Sequence, residues 1–112
     1  MRNKYNAIKQ TYKGLKFDSK KELHRYLVLE NMLNVKLITD LELHPVYPLM
    51  VNGIKIGRYT ADFRYKNQSG ETIIEDVKSK VTRTRDYMLR KKILATYNPP
   101  IIIKEILWVG LH

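Results

Sequence analysis

With 112 residues and no cysteine, the chain has the size of one domain with a modest core, and disulfides and thiolate metal sites are excluded. Its formal net charge of +10 is large for that length and makes polyanions, nucleic acids above all, the expected partners through counterion release. No apolar run approaches a membrane span, and the opening Met1-Arg2-Asn3-Lys4-Tyr5 has no apolar signal core, so the expectation is no membrane and a reducing cytoplasm.

Residues 1–17 are basic, with Tyr5 and Tyr12 set among Arg2, Lys4, Lys9, Lys13 and Lys16. The first ten residues read equally as a flexible basic arm that grips phosphates and stacks on bases, or as a solvated terminus. Thr11 to Phe17 reads as a small hairpin turning at Lys13-Gly14. Ser19-Lys20-Lys21-Glu22 matches the capping box, with Ser19 as N-cap and Glu22 three residues on. The helix it opens ends near Asn34. Its apolar stripe is Leu23, Tyr26, Leu27, Leu29, Met32 and Leu33, which leaves His24 and Arg25 on the solvated outer face. From Val35 to Val51 the pattern turns to strand, interrupted at His44-Pro45. Pro45 and Pro48 suit an edge or bent strand. A lone His44 with no second ligand nearby reads as structural or exposed. Asn52-Gly53 is a hairpin signal, and Ile54 to Gly57 leads into the next strand.

Arg58 to Lys80 then reads as two strands around a tight connection. Tyr59, Ala61, Phe63 and Tyr65 alternate onto one face, and Thr60, Asp62 and Arg64 onto the other. Asn67, Gln68, Ser69 and Gly70 supply turn chemistry. The second strand, Glu71 to Lys78, places Asp76 and Lys78 on one face. An odd connection, of three residues with Gly70 left-handed or of five, brings Asp62 onto the face of Asp76; a four-residue loop does not. Glu75 points to the opposite face, into the interior, where its charge needs a partner. Read this way, residues 35–78 form one antiparallel meander.

Seven Lys or Arg stand against the single acid Asp86 between Lys78 and Lys92. Because this run begins at the end of the strand bearing Asp76, phosphate contact is favoured over a merely solvated face. The residues expected to touch the DNA backbone are Lys80, Arg83, Arg85, Tyr87, Lys91 and Lys92, with Lys20 and Lys21 at the start of the first helix. A second helix is predicted over Asp86 to Tyr97, with Leu89, Ile93, Leu94 and Tyr97 as its core stripe. Asn98-Pro99-Pro100 stops it. Ile101 to Val109 is strongly apolar and reads as a strand buried on both faces, parallel to the Glu71–Lys78 strand.

Asp62, thirteen intervening residues, then Asp76-Val77-Lys78 resembles the signature of the PD-(D/E)xK nuclease superfamily, which includes type II restriction enzymes, archaeal Holliday-junction resolvases and transposon end-cleaving nucleases. With Phe17-Asp18-Ser19-Lys20-Lys21-Glu22 ahead and a basic, Tyr-containing helix behind, nearly the whole chain is similar to a family of small phage proteins placed in that superfamily. Ala61 stands where the motif has proline, and Asp76 where Glu is more usual. The resemblance implies an α/β fold, more narrowly an α+β mixed sheet with a restriction-endonuclease-like core: an N-terminal helix, an antiparallel meander, a second helix and a further buried strand. It implies a Mg²⁺- or Mn²⁺-dependent deoxyribonuclease acting in DNA recombination, in the host cytoplasm if phage-encoded. Asp62, Asp76 and the Val77 carbonyl would hold the metal, and Glu22 would reach it from the first helix. For Glu22 the capping reading alone suffices, so both remain open.

The chemistry suits these residue types. Attack on an anionic phosphodiester needs a cation that neutralises charge and activates water, and hard oxygen ligands suit Mg²⁺ or Mn²⁺. Lys78 would orient the water and offset charge as it develops. No sequence-reading module is visible, so branched DNA is the expected substrate, and resolving a junction would need a symmetric homodimer. The alternatives are a non-catalytic nucleic-acid-binding protein that keeps the fold, and a regulatory protein whose basic surface is incidental.

Overall fold

A computed structural model describes residues 9–79 and 81–108. The N-terminal arm, apart from Lys9 and Gln10, lies outside the described residues, as do Lys80 and Val109. Strands β1 (Gln10–Tyr12) and β2 (Leu15–Phe17) form the expected hairpin. Lys13 (φ 50°) and Gly14 (φ 79°) are both left-handed at its turn, the pattern whose twist suits two paired strands. Helix α1 (Lys20–Asn34) begins at Ser19, whose Oγ accepts the Glu22 N–H at 3.3 Å. The return bond of the capping box is displaced by one residue, because Glu22 Oε2 accepts the N–H of Asp18 (3.2 Å).

The central sheet is mixed. Strands β3 (Thr39–Leu43), β6 (Phe63–Lys66), β7 (Thr72–Lys78) and β8 (Ile103–Leu107) lie in the order β3-β6-β7-β8. The β6–β7 pairing is antiparallel and the β7–β8 pairing parallel, as expected, while β3 pairs antiparallel with β6. Helix α2 (Arg85–Ala95) makes the crossover, capped by Thr84 Oγ1, which accepts the Tyr87 N–H at 3.1 Å. Among the described residues, strands β4 (Val46–Val51) and β5 (Ile54–Thr60) pair only with each other. The expected continuous meander is therefore corrected: the chain leaves the sheet at His44, makes a hairpin, and returns at Asp62. Left-handed His44 (φ 53°) turns the chain out, and Pro45 has no N–H with which to continue a ladder. Two bonds close the neck of this excursion, His44 N–H to the Asp62 carbonyl and Ala61 N–H to the Pro45 carbonyl, both 3.0 Å.

Each sheet face has its own core. Phe17, Leu29, Ile38, Phe63, Tyr65 and Val77 pack on the α1 side, and Leu49, Tyr59, Ala61, Ile74, Tyr87, Leu94 and Ile103 on the α2 side. Tyr59, Ala61, Phe63 and Tyr65 are all buried, as their alternation predicts, yet they enter two cores because the strand breaks between Ala61 and Phe63. Three further expectations are corrected. Leu33 and Leu89 are exposed, and Tyr87 takes the inward place on α2. Strand β8 is an edge strand, interrupted by Lys104 and Glu105, with Leu107 71% exposed. Arg25 lies inward, not on an outer face.

Arg25 answers the question posed by Glu75. The Glu75 side chain is 0% exposed, on the α1 face of β7. Arg25 donates to both its oxygens, from Nε and Nη2, each at 2.8 Å, and the Tyr65 hydroxyl donates to Oε2. A bidentate guanidinium satisfies a buried carboxylate in charge and in geometry. Arg25→Met should cost about 3–5 kcal/mol, because it strands a buried charge. Arg25→Met with Glu75→Gln, which keeps an acceptor for Tyr65, should recover most of that loss in urea unfolding. A double variant no more stable than the single one would overturn this account of the α1 core.

Candidate metal centre

The β6–β7 connection places the two aspartates. Lys66 pairs with Thr72, Asn67 N–H donates to the Glu71 carbonyl (3.0 Å), and Gly70 is left-handed at φ 81°. The connection is thus odd, in the form that brings Asp62 opposite Asp76. Phe63 faces Glu75 in the register, so the next position back sets Asp62 against Asp76. There the ladder gives way to bonds through side chains. Asp62 N–H donates to Asp76 Oδ1 (2.9 Å) and to the Glu75 carbonyl (3.1 Å), and Val77 N–H donates to Asp62 Oδ2 (2.7 Å). Each carboxylate keeps one oxygen, Asp62 Oδ1 and Asp76 Oδ2, free of hydrogen bonds among the described residues. Lys78 shares the face of Asp76, its ammonium 4.2 Å from the centre of the Tyr87 ring, a cation–π contact that holds the long side chain.

The N-terminal turn of α1 lies within electrostatic reach of Asp62, whose charge acts on both Lys21 and Glu22. Glu22 is 2% exposed and divides its two oxygens. Oε2 caps at Asp18, and Oε1 shares a 2.5 Å hydrogen bond with His44 Nε2. The capping role of Glu22 and its presence at the site are therefore compatible. The ligand atoms of Asp18, Glu22 and His44 lie within 4.8 Å of one another. His44 and Asp18 are site neighbours that sequence reasoning missed. His44 carries no local signal, since only the turn at the hairpin neck aims it at a residue 22 positions away. Lys21 Nζ donates to Thr82 Oγ1 (3.1 Å), tying α1 to the segment after β7.

Burial sets the electrostatics. It pushes the Asp76 carboxyl up to about 6, against the opposing pull of Lys78 and the Asp62 N–H. Burial, then the charge of Asp62, pushes Glu22 up to about 7, opposed by His44. Asp62 is also raised by burial, opposed by the Val77 N–H. Burial, then Lys78, lowers Lys21. Asp62 and Asp76, raised by burial and each with a spare oxygen, offer two donors that a hard divalent cation would take, whereas both oxygens of Glu22 are engaged, by the Asp18 N–H and by His44. Asp62 and Asp76 fit Mg²⁺ or Mn²⁺ in that sense, while Glu22 is clustered with Asp18 and His44.

The cations expected at the DNA backbone divide into two groups. Arg83 Nε donates to both oxygens of Glu105 (3.1 and 3.2 Å), Lys91 ion-pairs with Glu105 at 3.3 Å, and the Tyr87 hydroxyl donates to it at 2.8 Å. These three are engaged with the β8 edge. Lys20, Arg85 and Lys92 are exposed and make no hydrogen bond or ion pair among the described residues. The family whose description is Protein of unknown function (DUF1064) matches residues 2–106. No curated protein and no solved structure matches the chain.

The raised carboxyls give a signed pH dependence. Unfolded, they lose protons near their ordinary values; folded, Asp76 and Glu22 keep them to about 6 and 7. The folded state binds more protons across that window, so their contribution is full below the ordinary carboxylate range and is lost as pH rises through the folded values. In chelator, Asp76→Asn should therefore be more stable than wild type at about pH 8, by on the order of 1–3 kcal/mol, with the difference vanishing near pH 4. Melting temperatures across pH measure this; parallel curves for the two proteins would contradict it.

Proposed function

The chain belongs to the family described as Protein of unknown function (DUF1064), and from that premise we propose that it is a divalent-metal-dependent endonuclease of the PD-(D/E)xK type that hydrolyses DNA phosphodiester bonds. The observation that carries this reading is the Asp62–Asp76 pair, locked through the Asp62 N–H (2.9 Å) and the Val77 N–H (2.7 Å), with Lys78 on the same face. A surface Asp–Lys pair would be solvated. This one is set into the sheet, with carboxyl groups held against ionisation by burial.

The role of each residue follows from its position. Asp62 and Asp76 would hold the cation through their free oxygens, and Glu22 would contribute from α1. When bound, the cation supplies charge neutralisation and an activated water. Lys78, steadied over Tyr87, would orient an attacking water and offset charge as it develops on the phosphate. The excess of 21 Lys and Arg over 11 acids draws the polyanion in. The resemblance to small phage proteins suggests branched DNA as substrate, recombination as setting, a symmetric dimer as the unit that places two cuts, and the cytoplasm, the host's if phage-encoded, as location.

The test is cleavage of labelled linear duplex, single-stranded and four-way-junction DNA with Mg²⁺, with Mn²⁺ and with chelator. Wild type should cut only with metal, and Asp62→Ala and Asp76→Ala should each lose at least about a hundredfold while remaining folded. Lys78→Met should lower turnover without lowering metal affinity. Tight, salt-dependent binding with no cutting by folded wild type in either metal would show a non-catalytic binding module instead.

A further inference from the structure

Beside the aspartate pair, between the end of β5 and the start of α2, lies a cleft of about 420 Å³. Its walls include Arg58, Thr60, Asp76, Lys78, Thr84 and Arg90. The volume falls in the ~300–1,000 Å³ range of small-ligand sites. A duplex cannot enter it, whereas a phosphate with part of its sugar can.

The cleft holds cations that the fold leaves uncommitted. Arg58 is exposed and its guanidinium makes no hydrogen bond or ion pair among the described residues, in contrast to Arg83 and Lys91, which are engaged with Glu105. Lys78 has no ion pair among those residues either and rests on Tyr87. Arg90 acts as a brace. Its Nε pairs with Asp86 at 3.1 Å and its Nη1 donates to the Arg58 carbonyl at 3.0 Å, so α2 fixes the stretch of β5 that carries Arg58. Thr60 and Thr84 add hydroxyl donors. Convergent guanidinium and hydroxyl donors on a rigid strand and a helix start match a tetrahedral oxyanion.

We propose that this cleft is a phosphate subsite, in which Arg58, supported by Thr60 and Arg90, holds a backbone phosphate neighbouring the one presented to Asp62 and Asp76. The inference rests on the endonuclease reading and deepens it. It makes the β4–β5 hairpin part of the substrate-binding surface, with its last residues setting how the cut strand lies across the metal centre. Arg58 fixes position and does not read sequence.

The experiment is equilibrium binding of a labelled oligonucleotide in Ca²⁺ over a range of salt, for wild type, Arg58→Gln, Thr60→Val and the charge-matched control Lys55→Gln. Lys55 is an exposed cation of the same hairpin, outside the cleft. Arg58→Gln should weaken binding about three- to tenfold and lower the log–log salt slope by about one. Thr60→Val should weaken it about twofold to threefold, and Lys55→Gln by less than about twofold. Melting temperatures and Mn²⁺ affinity should match wild type throughout. Equal losses in Arg58→Gln and Lys55→Gln would overturn the subsite and leave the endonuclease reading standing. Wild type that neither binds nor cuts any nucleic acid would overturn both.

Discussion

The site depends on how one residue crosses from a hairpin into a sheet. At Asp62 the chain leaves β5 and enters β6, and a broken ladder leaves backbone groups that must find other partners. The Asp62 carboxylate takes one of them, the Val77 N–H at 2.7 Å, while its own N–H is taken by the Glu75 carbonyl and by Asp76. The two aspartates are therefore structural and chemical at once. The same crossing switches the chain from the α2 core, which holds Tyr59 and Ala61, to the α1 core, which holds Phe63 and Tyr65. A side chain long enough to miss Val77 would loosen the break and misplace the free oxygen together.

Around that crossing the charges are sorted. Among the described residues the buried charged side chains are Glu22, Glu75 and Asp76, all acidic. A chain with net charge +10 that buries acids presents a surface more cationic than its formula suggests. Two interior or edge acids are neutralised, Glu75 by Arg25 and Glu105 by Arg83 and Lys91. The acids at the break are not matched in this way. Glu22 has only His44, and Asp62 and Asp76 lean on backbone N–H groups. Burial without a full counter-charge raises their carboxyls above the ordinary range, and that is the property that makes this corner, rather than Glu75, suited to a cation.

Much of this was legible where the rule is local. Lys13-Gly14 turns as its residues require and Ser19 caps the first helix, while of the loop lengths open for Asn67 to Gly70 the structure takes an odd one. The charge of Glu75 demanded a partner before any partner could be named. Other readings failed for a common reason. Arg25 was set outside by its polarity, although a long guanidinium on the inward side is the one group that satisfies Glu75. Leu89 was set inside and Tyr87 outside by hydropathy, although Tyr87 has a carboxylate, Glu105, to receive its hydroxyl. The apolar character of residues 101–109 suggested a central strand, but Lys104 and Glu105 belong to an edge.

The turns, the caps, the mixed α+β composition and the face shared by Asp76 and Lys78 can be read from the residues alone, because each follows from backbone geometry over a few positions. The folded chain alone shows that the β6–β7 connection is odd and sets Asp62 against Asp76, that β4 and β5 stand apart from the sheet, that Arg25 meets Glu75, that His44 meets Glu22, and which cations are tied to Glu105 and which, like the Arg58 guanidinium, are left open. Those pairings join residues many positions apart. Their partners are selected by which buried charge must be satisfied when the layers close, and no local pattern encodes that choice.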